Sequence, residues 1–145
     1  MVDDDVRMKT RRLRIALIAH DAQKQDMREW AEWNRTLLSD FDIYATRATG
    51  ELVAAATGSR VELLMPGPMG GDAQVGAMIA RRDLDIVVFF WDPLATHAHA
   101  ADVQSLIRLA VLHGIGIACN RRTADLVVSS PLLRRVGAVS ASGAA

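Results

Sequence analysis

Four short stretches of this sequence bring together side chains that can move protons or hold an anion. They are His20-Asp21-Ala22-Gln23-Lys24, Thr46-Arg47-Ala48-Thr49-Gly50, Pro66-Gly67-Pro68-Met69-Gly70-Gly71-Asp72 and Asp92-Pro93-Leu94-Ala95-Thr96-His97-Ala98-His99. Carboxylates and imidazoles exchange protons near neutral pH, which makes Asp72 and a loop histidine candidates for acid–base chemistry. Thr46, Thr49 and Gly50 place hydroxyls and backbone N–H groups at a helix start, whose positive end attracts a phosphate dianion, and Lys24 could add a full charge. Each signal also has a plainer reading. Threonine opens helices as a cap, and Asp72 suits the N-cap of the following helix as well as it suits catalysis. The His97-x-His99 pair raises metal binding, yet only Asp92 and Asp102 lie near it and no Cys or Glu stands at ligand spacing, so no metal is expected. His113, beside Gly114, is explained by the negative end of its helix. Trp30 and Trp33 read as packing residues, as do Phe89, Phe90 and Trp91, although Trp91 borders the fourth stretch.

Such groups act together only if the chain gathers them. Short runs rich in Val and Ile alternate with segments of helical period, the pattern of a parallel sheet covered on both faces. Five strands are predicted, at 14–20, 42–45, 61–65, 85–91 and 115–120. Between them, Val103, Leu106, Ile107, Ala110 and Val111 follow i, i+3, i+4, i+7, i+8, and Val75, Met78 and Ile79 begin the same pattern. In an open α/β sheet, ligands bind beyond the carboxyl ends of the strands. The four stretches follow the first four predicted strands, so nearly every candidate group falls at that one edge. Residues 14–136 form the expected domain, with a mobile leader at 1–13 and a mobile Ala/Ser/Gly-rich tail at 137–145.

The bulk composition narrows the partners. The chain has 145 residues, half of them apolar, enough for one ordinary globular core. Seventeen basic residues balance seventeen acidic ones, so no net field favours nucleic acid or an anionic membrane. Cys119 is the single cysteine, which excludes an intrachain disulfide, and its neighbours Ile115-Gly116-Ile117-Ala118 suggest a buried strand position. The acidic start Met1-Val2-Asp3-Asp4-Asp5 is unlike a secretory signal, and the apolar run at 86–91 is far too short to span a bilayer. A cytoplasmic protein is expected.

Three segments carry a resemblance. Ile15-Ala16-Leu17-Ile18-Ala19-His20-Asp21, Gly67-Pro68-Met69-Gly70-Gly71-Asp72 and Phe89-Phe90-Trp91-Asp92-Pro93-Leu94 closely resemble methylglyoxal synthases, and the similarity extends over about 14–131. It implies a five-stranded parallel sheet in three α/β/α layers and a homohexamer without a cofactor. It also implies a lyase that turns dihydroxyacetone phosphate into methylglyoxal and inorganic phosphate, with phosphate as inhibitor. By the same resemblance Asp72 is the catalytic carboxylate and His99 the histidine on the substrate. His20, Lys24, Thr46, Thr49 and Gly67 match substrate- or phosphate-binding positions, with Arg47, Ala48 and Pro66 in the same turns. Asp21, Asp92 and Asp102 stand as supporting acidic residues.

The chain departs from that pattern at three places. Pro66 replaces a serine and supplies neither hydroxyl nor N–H. Thr46-Arg47-Ala48-Thr49-Gly50 stands where the family commonly has Thr-Gly-Thr-Thr-Gly, which exchanges a glycine for Arg47 and a hydroxyl for the Ala48 methyl. The family's C-terminal segment, which brings an arginine from a neighbouring subunit, is replaced here by 137–145, leaving Arg134 or Arg135 as substitutes. The main rival reading is a non-catalytic domain of the same shape that binds a phosphorylated effector; it needs the anion cradle but not Asp72 and His99. A response-regulator-like receiver is a weaker rival, since of its acidic cluster only Asp21 follows the first strand.

Overall fold

The computed structural model describes residues 11–95 and 100–133. It contains a five-stranded parallel sheet in the order β3-β2-β1-β4-β5. The strands are β1 (Leu13–Ala19), β2 (Phe41–Ala45), β3 (Val61–Leu63), β4 (Ile86–Phe90) and β5 (Gly116–Ala118). The helices are α1 (Lys24–Trp33), α2 (Arg35–Leu38), α3 (Arg47–Thr57), α4 (Gly71–Ala80), α5 (Ala100–His113) and α6 (Arg121–Val128).

The alternation of side chains along a strand explains why the central strands are apolar throughout. Ile15, Leu17 and Ala19 of β1 point to one face and pack with Met27, Trp30 and Ala31 of α1, Val53 of α3 and Ala124 and Val128 of α6. Ala16 and Ile18 point to the other and pack with Val75, Met78 and Ile79 of α4 and Val103, Leu106 and Ala110 of α5. β1 lies in the centre, paired with β2 through Ile15–Ile43 and with β4 through Ile15–Ile86, so it is covered on all sides and all but its first two residues are buried. This is the expected three-layer α/β/α arrangement.

The expected strand limits shift by a few residues. His20 and Trp91 lie outside β1 and β4, and β3 stops at Leu63 rather than residue 65. Leu64 still donates its N–H to the Ala45 carbonyl at 2.7 Å, and the ladder stops there because the next N–H to face β2 would be that of Pro66, which has none, while the Met65 N–H faces the open side of this edge strand and meets a side chain of α4. β1 begins at Leu13, inside the stretch assigned to the leader, and Arg11 and Arg12 just before it bond to Asp85 and Asp42. Trp33 is 83% exposed and is not a packing residue. The buried stripe of α1 is Met27, Trp30 and Ala31, at i, i+3 and i+4, and Trp33 falls off it. Cys119 is half-buried just past β5; its burial raises the thiol pKa, an effect opposed by a hydrogen bond with the Trp91 side chain. Among the described residues no helix is long and apolar enough to cross a membrane.

Candidate active site

The first wall of the site comes from the end of β1. His20 follows the strand in extended conformation, and its N–H donates to the Phe90 carbonyl at 3.0 Å, which ties it to the end of β4. The Asp92 backbone N–H donates to His20 Nδ1 at 2.9 Å, and the ring stands edge-on to Phe89 at a 5.2 Å centroid distance. A ring nitrogen that accepts an N–H carries no proton, so this tautomer bears its proton on Nε2. Asp92 is itself held in a turn, its Oδ1 accepting the Leu94 N–H at 2.9 Å. Lys24 opens α1 with its ammonium against the Ala19 carbonyl at 2.7 Å and Asp21 Oδ1 at 3.1 Å, so the charge is parked at the strand end.

The second wall is the β2–α3 turn. Thr46 occupies the N-cap position of α3, yet its side chain makes no capping hydrogen bond, and it is 5% exposed. The capping explanation of this threonine is therefore wrong. Gly50 is the first residue to bond back, its N–H reaching the Thr46 carbonyl at 2.7 Å, so the N–H groups of Arg47, Ala48 and Thr49 precede the helical ladder. The Thr49 hydroxyl exchanges contacts with the backbone of Ala19, accepting from its N–H at 3.3 Å and donating to its carbonyl at 3.5 Å. Thr49 thus locks α3 to β1, and its hydroxyl is directed to the strand. Arg47 does not reach the site: its guanidinium is half-exposed and lies 3.9 Å from Glu51, one helical turn on, along the outside of α3. A helix residue directly after the N-cap points where the local turn sends it, and here that is solvent.

The third wall is the loop from β3 to α4. The Pro66 carbonyl accepts the N–H groups of Met69 and Gly71, both at 3.0 Å, which coils the Gly67–Met69 segment into one 3₁₀ turn. Gly70 then takes φ +116°, a backbone conformation L side chains rarely adopt, and holds the N-cap position of α4. Asp72 is consequently the second residue of the helix and not its cap. Gly71 admits the close crossing of this helix start over the second wall, for a Cβ there would lie 2.9 Å from Thr46 Cγ2 and would collide with the Met65 carbonyl. The Asp72 carboxylate lies over Gly67, whose Cβ, if it had one, would be 3.4 Å from Oδ1.

The three walls enclose a cleft of about 610 Å³ at the carboxyl edge of the sheet. Of the sequence candidates, His20, Asp21, Lys24, Thr46, Ala48, Thr49, Pro66, Gly67, Asp72 and Asp92 line it, and Arg47 does not. Asp102 is exposed in the first turn of α5 and lines a neighbouring groove of about 380 Å³ between α4 and α5, which it shares with Asp72. His97, His99, Arg134 and Arg135 lie outside the described residues. The sequence reading missed Ala19, whose carbonyl holds Lys24, and Gln74, whose Oε1 accepts the Met65 N–H at 2.7 Å. A backbone carbonyl leaves no trace in residue type, and a polar residue on a helix looks like any solvated one. Among the described residues no group of three His, Cys, Asp or Glu side chains is placed to hold a metal ion.

Chemically, the cleft sets the Asp72 carboxylate beside a glycine backbone, with a helix N-terminus, an ammonium and an Nε2–H imidazole on the same lining as Asp21 and Asp92. That is the equipment to hold a phosphoryl group and take a proton from the carbon skeleton attached to it.

Comparison with known proteins agrees. Residues 26–119 match the family model of the MGS-like domain. The methylglyoxal synthase of Leptospira interrogans serogroup Icterohaemorrhagiae serovar copenhageni is 50% identical over 118 residues, covering 81% of this chain and 80% of its own. That of Yersinia enterocolitica is 50% identical over 121 residues, covering 83% and 80%. The crystal structure of methylglyoxal synthase from Elizabethkingia anophelis NUHP1 superimposes with a TM-score of 0.79 at 43% identity, over 85% of this chain and 81% of that one. On its sequence, its fold and the residues gathered at this edge, the chain belongs to the methylglyoxal synthase family.

Proposed function

We propose that this chain is a carbon–oxygen lyase that converts dihydroxyacetone phosphate to methylglyoxal and inorganic phosphate. The observation that carries the reading is the placement of Asp72 in one cleft with Lys24, His20 and the N-terminus of α3. The hydroxymethyl carbon of the substrate is acidic because a carbonyl adjoins it. Asp72 removes a proton there, and the electrons pass to the carbonyl oxygen to give an enediolate. His20 through Nε2–H, and His99 by family resemblance, hydrogen-bond the substrate oxygens as that charge develops. The proton of the former hydroxymethyl oxygen passes to the neighbouring enediolate oxygen, an aldehyde carbonyl forms at the former hydroxymethyl carbon, and the double-bond electrons shift to the phosphate-bearing carbon as its C–O bond to phosphate breaks. Phosphate leaves with the bonding pair, and the remaining enol ketonises to methylglyoxal.

Elimination needs the breaking C–O bond perpendicular to the enediolate plane; in the plane, the same intermediate would be reprotonated instead. Orientation of the phosphate therefore selects the product. Thr46, Gly67, the first N–H groups of α3 and Lys24 hold it in that pose. Ala48 and Pro66 offer it no hydroxyl, so backbone donors and the ammonium carry more of the cradle than the family pattern implies. Inhibition by phosphate, assembly as a homohexamer and the absence of a cofactor, each supported by the family resemblance, complete the reading together with a cytoplasmic location.

Purified protein incubated with dihydroxyacetone phosphate should release methylglyoxal and phosphate in equal amounts, slowed by added phosphate. Saturable phosphate binding without either product would replace the enzyme with a non-catalytic effector-binding domain.

A further inference from the structure

Gln74 bonds both ends of the loop that forms the third wall of the cleft. Its side-chain Oε1 accepts the Met65 N–H at 2.7 Å, where the chain leaves β3, and its backbone N–H donates to the Gly70 carbonyl at 3.0 Å, where the chain enters α4. Between these two points lie Pro66 and Gly67, which line the cleft. Inside the loop the bonds are all local: the Pro66 carbonyl accepts from Met69 and Gly71, and the Gly67 carbonyl from Gly70 at 3.2 Å. They set the coil of the loop but not its position relative to the sheet. Leu64 N–H bonds to Ala45, so the Met65 N–H, one residue on, faces the open side of this edge strand, where the Gln74 side chain accepts it.

From this geometry we infer that Gln74 is a positioning residue for phosphate: it clamps the 65–70 loop so that Gly67 stands at a fixed place beside the Asp72 carboxylate. The inference rests on the functional reading above. Gln74 does not line the cleft, and it sits on the same helix as Asp72, two residues on. Loss of its acceptor therefore frees the loop while leaving the base on its helix, so the anion-holding wall is disturbed more than the proton-abstracting group.

The test compares Gln74→Met, which keeps length and removes the acceptor, with Gln74→Glu, which keeps an acceptor oxygen, both in 0.15 M salt to screen the added charge. Gln74→Met should raise KM for dihydroxyacetone phosphate and the inhibition constant of inorganic phosphate together, each by about fivefold, the worth of one ordinary hydrogen bond. It should change kcat by less than about twofold. Gln74→Glu should restore both constants to within about twofold of the parent. Unchanged constants in Gln74→Met would overturn the inference, as would equal losses in both variants or losses that follow a fall in Tm. If the parent shows no turnover, titration of inorganic phosphate alone still reads the clamp: fivefold weaker binding in Gln74→Met upholds it and equal binding overturns it, while the lyase reading fails separately.

Discussion

Both edges of the sheet carry charged groups, and they arrange them differently. At the amino edge, Asp85 is 2% exposed yet fully answered: Arg11 donates to its Oδ1 and the Arg14 N–H to its Oδ2, both at 2.8 Å. Arg12 bonds Asp42 at 2.8 Å and also the carbonyls of Ser39 and Phe41. Beside it lies a groove of about 490 Å³, not far below the 610 Å³ of the cleft, but its charges are matched in pairs, Arg12 with Asp42 and Arg60 with Glu62. At the carboxyl edge, by contrast, a helix N-terminus and a tautomerically fixed imidazole border one cleft with Asp72, and Lys24, paired there with Asp21, adds its ammonium to the same lining. Size does not tell a site from a groove here; the direction of the hydrogen-bonding groups does. Strand polarity supplies the reason, since every helix that follows a strand starts at the carboxyl edge and brings its positive end there.

The comparison can be broken from either side. The largest effect is expected from Asp72→Asn, which should lower kcat by roughly 10³-fold, within the range for a lost general base. Phosphate binding should persist within a few-fold; steady-state kinetics and a phosphate titration check both. Lys24→Met comes next. A charged hydrogen-bond donor is worth about 1.5–3 kcal/mol, so KM and the phosphate inhibition constant should rise roughly ten- to a hundredfold. At the other edge, Asp85→Ala should act on stability alone. It removes the partner of Arg11 and of the Arg14 N–H, costs about 2 kcal/mol and lowers Tm by roughly 5–10 °C, with KM unchanged in the surviving fold. Thermal denaturation beside kinetics separates the two edges. The smallest effect belongs to Arg47→Ala, which should move KM by less than about twofold, because an exposed pair with Glu51 is worth little. A large rise in KM would return Arg47 to the site.

Much of this was legible in the sequence for a physical reason. Strands buried on both faces must be apolar at every position, so β1 and β4 stand out without an alignment, and the turn residues after them fall at one edge. What escaped depends on contacts between distant segments. The bond from the Met65 N–H to Gln74 on α4 is a pairing that no local pattern encodes. That Asp72 is not the cap of α4 follows from Gly70, whose left-handed φ takes the cap position. Thr46 and Thr49 look alike in sequence; only the packing of α3 on β1 directs the second hydroxyl to Ala19. Trp33 was misread because a tryptophan suggests burial more strongly than its place off the apolar stripe suggests exposure.

The most direct test of the contrast between the edges is a titration of the ¹⁵N-labelled protein with inorganic phosphate, followed by amide shifts. Shifts confined to residues 47–50, Gly67 and the start of α1, with Arg12, Asp42 and Arg60 silent, are the predicted result. Saturable shifts centred on Arg12 and Arg60, with the α3 N-terminus unmoved, would contradict the account.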